Sequence, residues 1–486
     1  MADTVRVRIA PSPTGTLHIG NVRAGLFNWL FARRMGGVFI LRIDDTDAAR
    51  SKPEYEENIK ASFRWLGMDW DEGPDIGGPF GPYRQSERMD RYLTAAERLL
   101  AEGKAFRCWC TAEELEASRQ AAARRKEAPR YDGRCLNLTD ADRAKFESEG
   151  RKAAIRFRLP EGPPVIVDDL IRGRVEMPRG MLDHFIIVRS DGKPVYNFCT
   201  ALDEADHRIT HVIRGDDHLS NTPKQMLVME ALGITPPRYA HLPQILGIDK
   251  ARLSKRHGAQ GVLELRDEGF LPEAVLNFLA LLGWSYDDKT ELFTPAELKA
   301  SFSLDRVGKA PAVFDETKLL WMNGQYIRNG PAERIEADLR ARIAAAHGAL
   351  PAAGDAAYVG RVIALLRESL KTLGEIGPLS EFFFRDEVVW EDEAKARLAG
   401  WPRAAEILAA VTGIVKDTSP FTPEALEAAF RAKAESMGLK FKELVHPARF
   451  ATTGRVAGPS LFHALEVLGR DRCLARLASA AKLPPA

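Results

Sequence analysis

The sequence predicts an α/β protein with a parallel β-sheet, interrupted by an inserted module and followed by an all-helical region. Three observations support this prediction. Residues 4–43 show the order strand, turn, helix, strand. Residues 108–190 contain short strand-like runs, at residues 153–159, 165–168 and 185–189, that differ from their helix-rich flanks. From residue 327 onward, apolar residues recur at spacings of three and four, which predicts packed helices, among them ones over residues 362–373, 404–415, 423–437 and 460–468.

The first predicted elements follow from the periodicity of the apolar residues. Residues 4–10 alternate, with Val5, Val7 and Ile9 on one face of a strand, and the following prolines and glycine break the pattern. Residues 21–35 place apolar side chains at helical spacing before two glycines, and an apolar strand follows. Together these elements form one βαβ unit, whose ligands are expected beyond the carboxyl ends of the strands.

Composition shifts along the chain predict five segments. Residues 1–107 and 191–250 are expected to form the two halves of the sheet domain, with residues 108–190 inserted between them. Residues 251–326 combine a basic loop with helices, and residues 327–486 are expected to be helical. Several domains are expected because single cores rarely grow beyond roughly 250–300 residues.

The bulk composition is typical of a soluble globular protein. The formal net charge is +1, so any binding of nucleic acid depends on a local basic patch rather than on the total charge. No apolar run reaches the roughly 18–20 residues of a membrane span, and no signal-peptide pattern is seen, so no membrane association is expected. Five cysteines without a dense framework indicate a reducing compartment, and a cytoplasmic location is predicted.

Two basic motifs, far apart in the sequence, indicate a bound nucleoside triphosphate. Residues 8–21 read Arg-Ile-Ala-Pro-Ser-Pro-Thr-Gly-Thr-Leu-His-Ile-Gly-Asn at the predicted strand-to-helix turn, and residues 252–256 read Arg-Leu-Ser-Lys-Arg. The helix start offers free N–H groups and positive dipole to an anion, and Lys255 adds a point charge on a flexible stem. Either motif alone is weak evidence, whereas the pair in a βαβ setting is specific.

These motifs resemble those of the class I aminoacyl-tRNA synthetases, and among them the bacterial glutamyl-tRNA synthetases. The family's histidine–glycine motif corresponds to His18-Ile19-Gly20-Asn21, with Asn21 where many members have a second histidine, and residues 252–256 match its mobile lysine motif. The resemblance covers essentially the whole chain, with further similar stretches at residues 41–47, 81–87, 212–217, 318–326 and 453–461. It implies a Rossmann-type catalytic domain, an inserted acceptor-stem-binding module and a helical anticodon-binding region.

The resemblance implies ATP-dependent activation of L-glutamate to glutamyl-adenylate and transfer of the glutamyl group to the 3′-terminal adenosine of tRNA(Glu). Catalytic and ATP-binding roles would belong to His18, Gly20, Asn21 and Lys255. Positive charge and N–H donors are needed because negative charge grows on the phosphates in the transition state. Mg²⁺ is expected with ATP, held mostly by the phosphates.

Selection of glutamate over glutamine is expected to be electrostatic. Arg8 and Arg214 are candidates for a guanidinium clamp on the substrate's side-chain carboxylate, because arginine pairs with carboxylates in a planar, bidentate way. Ordinary ion pairing of these arginines with nearby aspartates is the alternative. Ser12 and Asp44 are candidates for the substrate ammonium, and Tyr196 for its side chain. Position 44 is usually Glu in the family, so the carboxylate here is shorter by one methylene.

A candidate structural zinc site lies in the inserted segment. Cys108 and Cys110 are followed by Tyr131 and Cys135, and three thiolates with one phenolate suit a tetrahedral Zn²⁺ site. The pattern is similar to one that carries zinc in some bacterial glutamyl-tRNA synthetases. The position two residues after the last cysteine, where a histidine is sometimes considered, is Asn137 here. The alternative is three free cysteines.

The resemblance also implies where tRNA would bind. Thr46 and Asp47 correspond to positions that the terminal adenosine approaches in the family. Arg449, Pro459 and Leu461 correspond to anchors for anticodon bases. Single-stranded bases are read by stacking and by hydrogen bonds to their edges, while phosphate contacts fix the register.

Several alternatives stay open at the level of sequence. Ser369 stands where strict glutamate-tRNA readers carry an arginine, which leaves additional charging of tRNA(Gln) open. Within the families that the chain resembles, a glutaminyl-tRNA synthetase would use β-barrels where residues 327–486 are predicted to be helical, and a relative that transfers glutamate onto queuosine would usually lack this region. A catalytically silent RNA-binding protein is a third alternative. The family default, expected here, is a monomer.

Overall fold

The computed structural model describes residues 4–47, 49–127, 130–251, 253, 261–348 and 356–483. Packing divides the chain into two units. The first unit comprises Met1–Leu265 and Val275–Glu316, and the second comprises Arg266–Ala274 and Thr317–Ala486. All the strands of the described residues belong to the first unit, and the second is helical, as the periodicity predicts.

The predicted βαβ unit is confirmed at the start of the first unit. Strand β1 (Arg6–Ile9), helix α1 (Ile19–Met35) and strand β2 (Val38–Leu41) follow one another, and β1 pairs in parallel with β2. Gly36 ends α1 in the left-handed conformation, with φ of 59°, which glycine adopts without strain. The helix begins two residues before the predicted start because its first turn depends on backbone hydrogen bonds rather than on side-chain periodicity.

The first unit contains further strands and helices. In the described residues its remaining strands are β3 (Ala105–Cys108), β4 (Ala154–Phe157), β5 (Val165–Asp169), β6 (Gly173–Met177), β7 (Ile186–Val188), β8 (His211–Gly215), β9 (Arg238–Leu242), β10 (Ile245–Leu246) and β11 (Ala312–Val313). Its helices, two of which extend into the second unit, are α2 (Pro53–Trp65), α3 (Met89–Ala101), α4 (Ala112–Arg124), α5 (Asp140–Ser148), α6 (Tyr196–Asp206), α7 (Thr222–Ala231), α8 (Val262–Glu268), α9 (Pro272–Leu281) and α10 (Pro295–Ser301).

A four-stranded sheet has the order β6-β5-β9-β8. Strands β8 and β9 are parallel, with Arg214 opposite His241. Strand β9 also pairs in parallel with β5, where Asp169 lies opposite Tyr239. A backbone hydrogen bond from Thr210 N to the carbonyl of Arg6 (2.9 Å) joins the start of β8 to the start of β1.

The strands predicted at residues 153–159, 165–168 and 185–189 are confirmed as β4, β5 and β7. These strands share sheets with strands outside the segment expected to be inserted. Strands β4 and β7 form an antiparallel sheet with β3, and β5 pairs with β9. The expected boundary at residue 107 lies inside β3. Periodicity predicts strands but not their partners, because partners are distant in sequence.

The described helices of the second unit pack around an apolar core. Helix α11 (Glu316–Asn329) begins at the unit boundary, and the others are α12 (Ala332–His347), α13 (Ala356–Arg367), α14 (Ile376–Phe384), α15 (Asp392–Ala399), α16 (Ala404–Asp417), α17 (Pro423–Ser436), α18 (Phe441–Thr453), α19 (Leu461–Leu468) and α20 (Arg470–Ala480). The helix predicted over residues 362–373 is wrong at its end, since α13 stops at Arg367. Leu370 and Leu373 continue the apolar spacing because they enter the same core from the loop after α13 and from the short 3-10 helix Leu373–Glu375.

Among the described residues, no single helix is long and apolar enough to cross a membrane. Only the bent pair α15 and α16 meets that test of length and composition when the two helices are taken together.

Candidate active site

The turn between β1 and α1 leaves the helix start open. His18 immediately precedes α1 with an extended backbone (φ −83°, ψ 150°), and its side chain makes no capping hydrogen bond. The first turn of α1 contains no acidic side chain. His18, Gly20 and Asn21 are exposed. The N–H groups and positive dipole of the helix start are therefore available to an anion.

A cavity of about 780 Å³ lies at this turn. Its wall combines residues of β1 and α1 with residues of α6 and β8, so that both halves of the predicted sheet domain contribute. Seven of the predicted site residues line it: Arg8, Ser12, His18, Gly20, Asn21, Tyr196 and Arg214. The structure therefore brings the predicted ATP and glutamate residues to one cavity.

Arg8 is buried, and it forms an ion pair with Glu204 of α6. Its Nε lies 2.9 and 3.0 Å from the two carboxylate oxygens, and its Nη1 donates to the carbonyl of Ile213 at 3.5 Å. Burial by itself raises the pKa of Glu204, but attraction to Arg8 and Arg42 lowers that pKa below its usual value. The ion pair that the sequence allowed with an aspartate is thus made with a glutamate.

Asp44 is buried and is bound by Arg42. The Nε of Arg42 donates to one carboxylate oxygen at 2.7 Å, and its Nη2 donates to the other at 3.2 Å. Arg42 lines the cavity, whereas Asp44 is not among the described residues that do so. Asp44 therefore supports a cavity arginine, and its direct contact with a substrate ammonium stays a prediction.

Arg214 is a buried cation, and one of its donors has no partner among the described residues. Its Nη2 donates to Thr222 Oγ1 at 2.7 Å and to Gln225 Oε1 at 2.9 Å, and its Nε donates to His241 Nε2 at 3.3 Å. Its Nη1 is buried and has no hydrogen-bond partner in the described part of the chain. Burial lowers the pKa of Arg214, yet the group stays protonated because the ordinary value is far above 7. A cation with a free donor at a cavity wall favours an anionic ligand.

Tyr196 and His218 form an uncharged part of the wall. The hydroxyl of Tyr196 lies 3.2 Å from Nδ1 of His218. Burial raises the pKa of Tyr196 and lowers that of His218, so both side chains are neutral at pH 7. This surface suits the methylene groups and polar end of a small amino acid.

The mobile lysine motif is only partly described. Lys255 lies outside the described residues, but Leu253, which belongs to the same motif, lines the cavity. Thr46 and Asp47 follow β2 and are half-buried, and Asp47 accepts a hydrogen bond from Arg50 at 2.7 Å. Their predicted contact with tRNA stays a prediction.

The three predicted cysteine ligands lie together at the end of β3 and in the segments that follow it. The sulfur atoms of Cys108, Cys110 and Cys135 all lie within 4.8 Å of one another. The hydroxyl of Tyr131 lies 3.6 Å from the sulfur of Cys108 and 4.0 Å from that of Cys110. The guanidinium of Arg156 donates to the sulfur of Cys108 at 3.3 Å, and its positive charge suits a cluster of thiolates. Three sulfurs and one phenol oxygen therefore fit a tetrahedral Zn²⁺ site.

In the second unit, Arg449 and Pro459 are adjacent. The Nη1 of Arg449 donates to the carbonyl of Pro459 at 2.8 Å, and burial lowers the pKa of Arg449. Leu461, the first residue of α19, is only 2% exposed and belongs to the helical core. Ser369 is exposed, and its hydroxyl donates to the carbonyl of Leu366. Of the three predicted anticodon anchors, Arg449 and Pro459 therefore offer surface to RNA and Leu461 does not.

Sequence reasoning did not single out Arg42, which lines the cavity, or Glu204, which forms an ion pair with Arg8. Arg42 is a charged residue inside an apolar strand-like run, and that exception to the pattern is a signal that could have identified it. Glu204 gives no comparable signal, because its importance comes from contact with Arg8 and Arg42, which are remote in sequence.

Comparison with known families defines the class of protein. The family model described as "tRNA synthetases class I (E and Q), catalytic domain" matches residues 4–321. The model described as "Anticodon binding domain" matches residues 338–481. The chain belongs to the class I tRNA synthetases of the E and Q family.

The relatives within that family are similar over their whole length. Proteins named "Glutamate--tRNA ligase" from Desulforudis audaxviator and Moorella thermoacetica are each 47% identical, and the alignments cover 98% of this chain and 96% and 98% of theirs. A crystal structure of a glutamate tRNA ligase from Elizabethkingia meningosepticum, in complex with its amino acid, matches with a TM-score of 0.87 at 33% identity. That match covers 99% of this chain and 100% of the other. The predicted family and fold class are confirmed.

Proposed function

We propose that the cavity of this chain, a glutamate–tRNA ligase, binds L-glutamate and ATP side by side and joins them. An oxygen of the substrate α-carboxylate attacks the α-phosphorus of ATP, the bond to the β-phosphate breaks, and glutamyl-adenylate and diphosphate form. The 3′-terminal adenosine of tRNA(Glu) then accepts the glutamyl group and AMP leaves. These steps need cations at the phosphates and at the substrate side chain.

The binding of glutamate rests on one observation above all, the free donor of Arg214. Arg214 lines the cavity, and its buried Nη1 has no partner among the described residues, so a side-chain carboxylate bound against this guanidinium would supply both a counter-charge and a hydrogen-bond acceptor. Arg8 adds a second guanidinium, and Tyr196 packs on the substrate. The amide of glutamine would leave the buried cation without a counter-charge, which disfavours that substrate. Ser12 and Asp44 are assigned to the ammonium end.

The binding of ATP is assigned to the start of α1. His18 and the open helix N-terminus face the phosphates, and Gly20 leaves open space where a side chain would otherwise stand. Asn21 donates where many relatives carry a histidine, and Lys255 supplies charge to the leaving diphosphate. Mg²⁺ accompanies ATP and is held mostly by the phosphates.

The RNA partner is assigned to both units. Thr46 and Asp47 meet the terminal adenosine, and Arg449, Pro459 and Leu461 belong to the anticodon-reading surface. The helical second unit supports this assignment over a queuosine-modifying relative, which would usually lack it. Charging of tRNA(Gln) in addition to tRNA(Glu) follows only from Ser369 and is the finer hypothesis. A monomeric, cytoplasmic enzyme stays a prediction.

A structural Zn²⁺ ion is assigned to Cys108, Cys110, Cys135 and Tyr131. The ion would tie the end of β3 to the segment that follows α4. Four ligands fill a tetrahedral shell and leave no open position, so the assigned role is structural.

Replacing Arg214 by glutamine tests the assignment of glutamate. The expected result is a loss of roughly a hundredfold or more in kcat/KM for glutamate, since removing one partner of a buried charge pair costs about 3 kcal/mol or more. The KM for ATP should stay near that of the unchanged protein. Charging is measured with purified tRNA(Glu) and tRNA(Gln), with glutamate and glutamine each offered, so that both choices are read in one experiment.

Arg6→Gln is the matched control. Arg6 lies on the same strand as Arg8 and is held by both oxygens of Glu72, but it is not among the described residues that line the cavity. This variant should lose stability without a selective change in the KM for glutamate. Two results would contradict the proposed clamp. One is an Arg214→Gln protein with an unchanged KM for glutamate, and the other is an unchanged protein that prefers glutamine to glutamate.

A further inference from the structure

Three adjacent strands place a buried aspartate, a histidine and Arg214 in a row. Asp169 ends β5, His241 lies in β9, and Arg214 lies opposite His241 in β8. The side chains of Asp169 and His241 are completely buried, at 0% exposure. Arg214 alone of the three lines the cavity among the described residues. The row therefore leads from the interior of the sheet to the cavity wall.

The hydrogen bonds of Asp169 determine which nitrogen of His241 carries the proton. Oδ1 of Asp169 accepts from the backbone N–H groups of Ile171 (2.9 Å) and Arg172 (2.8 Å). Oδ2 lies 2.6 Å from Nδ1 of His241. Burial by itself would raise the pKa of Asp169, but the hydrogen bonds that it accepts outweigh burial and bring the pKa below its ordinary value. The side chain of Asp169 is therefore an ionised carboxylate that accepts hydrogen bonds. Nδ1 of His241 must therefore donate, and Nε2 of the neutral ring is an acceptor.

The acceptor nitrogen of His241 fixes the direction of the Arg214 guanidinium. Nε2 accepts from Nε of Arg214 at 3.3 Å and lies 3.0 Å from Oγ1 of Thr222. Thr222 and Gln225 accept from Nη2 of the same guanidinium. With Nε and Nη2 both engaged, the planar group cannot rotate, and Nη1 is the nitrogen without a partner in the described chain. Burial lowers the pKa of His241, which agrees with a neutral ring.

We propose that Asp169 and His241 are positioning residues that aim Arg214 at the substrate carboxylate while leaving its charge uncompensated. A carboxylate bound directly to Arg214 would orient it equally well, but would cancel the charge that attracts glutamate. The neutral imidazole orients the guanidinium, and the negative charge of Asp169 is kept one side chain further away. The inference rests on the proposed function, in which Arg214 binds the side chain of glutamate.

Asp169→Asn tests the inference by replacing one carboxylate oxygen with an NH₂ group. The oxygen of the asparagine is retained by the N–H groups of Ile171 and Arg172, so its NH₂ group faces Nδ1 of His241. The ring must then carry its proton on Nε2, where it opposes the N–H of Arg214. We expect the KM for glutamate to rise roughly ten- to hundredfold, on the scale of a charged hydrogen bond. The KM for ATP should not change, and the preference for glutamate over glutamine should fall.

Two variants at His241 test its acceptor nitrogen, because one keeps an acceptor at that place and the other removes it. In His241→Gln the amide oxygen can take the place of Nε2 as an acceptor, so the KM for glutamate should stay within a few-fold of the unchanged protein. In His241→Leu the acceptor is lost, and the KM should rise as in Asp169→Asn. His207→Leu is the folding control, because His207 is equally buried but bonds to the carbonyl of Pro82 rather than to Arg214. It should lower the thermal stability and leave the KM for glutamate unchanged.

The outcomes separate this inference from the function on which it rests. If Arg214→Gln raises the KM for glutamate while Asp169→Asn and His241→Leu leave it unchanged, the positioning role is overturned and the clamp stands. If none of the three raises it, the role of Arg214 itself is wrong. If Asp169→Asn does not fold, equal KM values for His241→Gln and His241→Leu overturn the inference, and a selective loss in His241→Leu supports it.

Discussion

Replacing Glu204 by glutamine is expected to weaken the fold and strengthen the binding of glutamate at once. The substitution keeps the shape of the side chain and removes its charge. Glu204 is buried, with Arg8 at 2.9 Å and Arg42 at 3.6 Å. Breaking a buried ion pair costs about 3–5 kcal/mol. Because Arg42 keeps Asp44 at 2.7 Å, the loss falls mainly on Arg8, and we expect the low end, about 3 kcal/mol.

Glu204→Gln should make folding less favourable but the binding of glutamate more favourable. In Glu204→Gln, Arg8 has no counter-charge until the carboxylate of glutamate arrives, so part of the lost stability returns on binding. A gain of about 1.4 kcal/mol would lower the Kd for glutamate roughly tenfold. A larger rise in unfolding temperature with glutamate is therefore expected in the variant than in the unchanged protein.

Differential scanning calorimetry with and without glutamate measures both effects. Because a chain of two units need not unfold in one step, the relevant transition is the one that glutamate shifts. Glu56→Gln is the control: Glu56 is held by Arg84 at 2.9 Å, but it is partly exposed and is not among the described residues lining the cavity. It should cost less than about 1 kcal/mol and leave the Kd unchanged. Weaker glutamate binding in Glu204→Gln would refute the reasoning, since Glu204 would then serve to hold Arg8 in place.

Three further predictions concern other parts of the chain. Cys135→Ser should abolish bound zinc measured by elemental analysis, whereas Cys473→Ser, at a buried thiol of the second unit, should leave the zinc content unchanged. Burial lowers the pKa of His207 to about 3 in the folded protein. As the pH falls below about 6.5, this histidine therefore binds a proton in the unfolded state but not in the folded state. The free energy of unfolding should then fall by up to about 1.4 kcal/mol per pH unit. His207→Gln should flatten that acid slope in denaturation curves, and an unchanged slope would contradict the assignment. Lys255→Ala should lower kcat in charging assays by roughly a hundredfold or more with little change in the KM for glutamate, and unchanged turnover would contradict its role at the diphosphate.

The sequence by itself predicted the elements of the fold well, because periodicity is a local property. The βαβ unit, the strands β4, β5 and β7, and the helices of the second unit all follow from the spacing of apolar residues. The same local information failed at the end of α13, where apolar spacing continues through a turn. It also could not tell that β5 pairs with β9, because no local pattern encodes a distant partner.

The candidate site likewise has features that the sequence predicted and features that only the tertiary structure decided. Motifs in the sequence identified His18, Arg8 and Arg214 as candidates, because a resemblance acts on residue types at fixed positions. Only the tertiary structure decided which carboxylate holds Arg8, and that Arg214 has no such partner among the described residues but is oriented by a histidine. The physical reason is that the counter-charge and the orientation of a buried arginine depend on neighbours that folding brings close. Those neighbours come from other strands and helices, and no spacing in the sequence reports them.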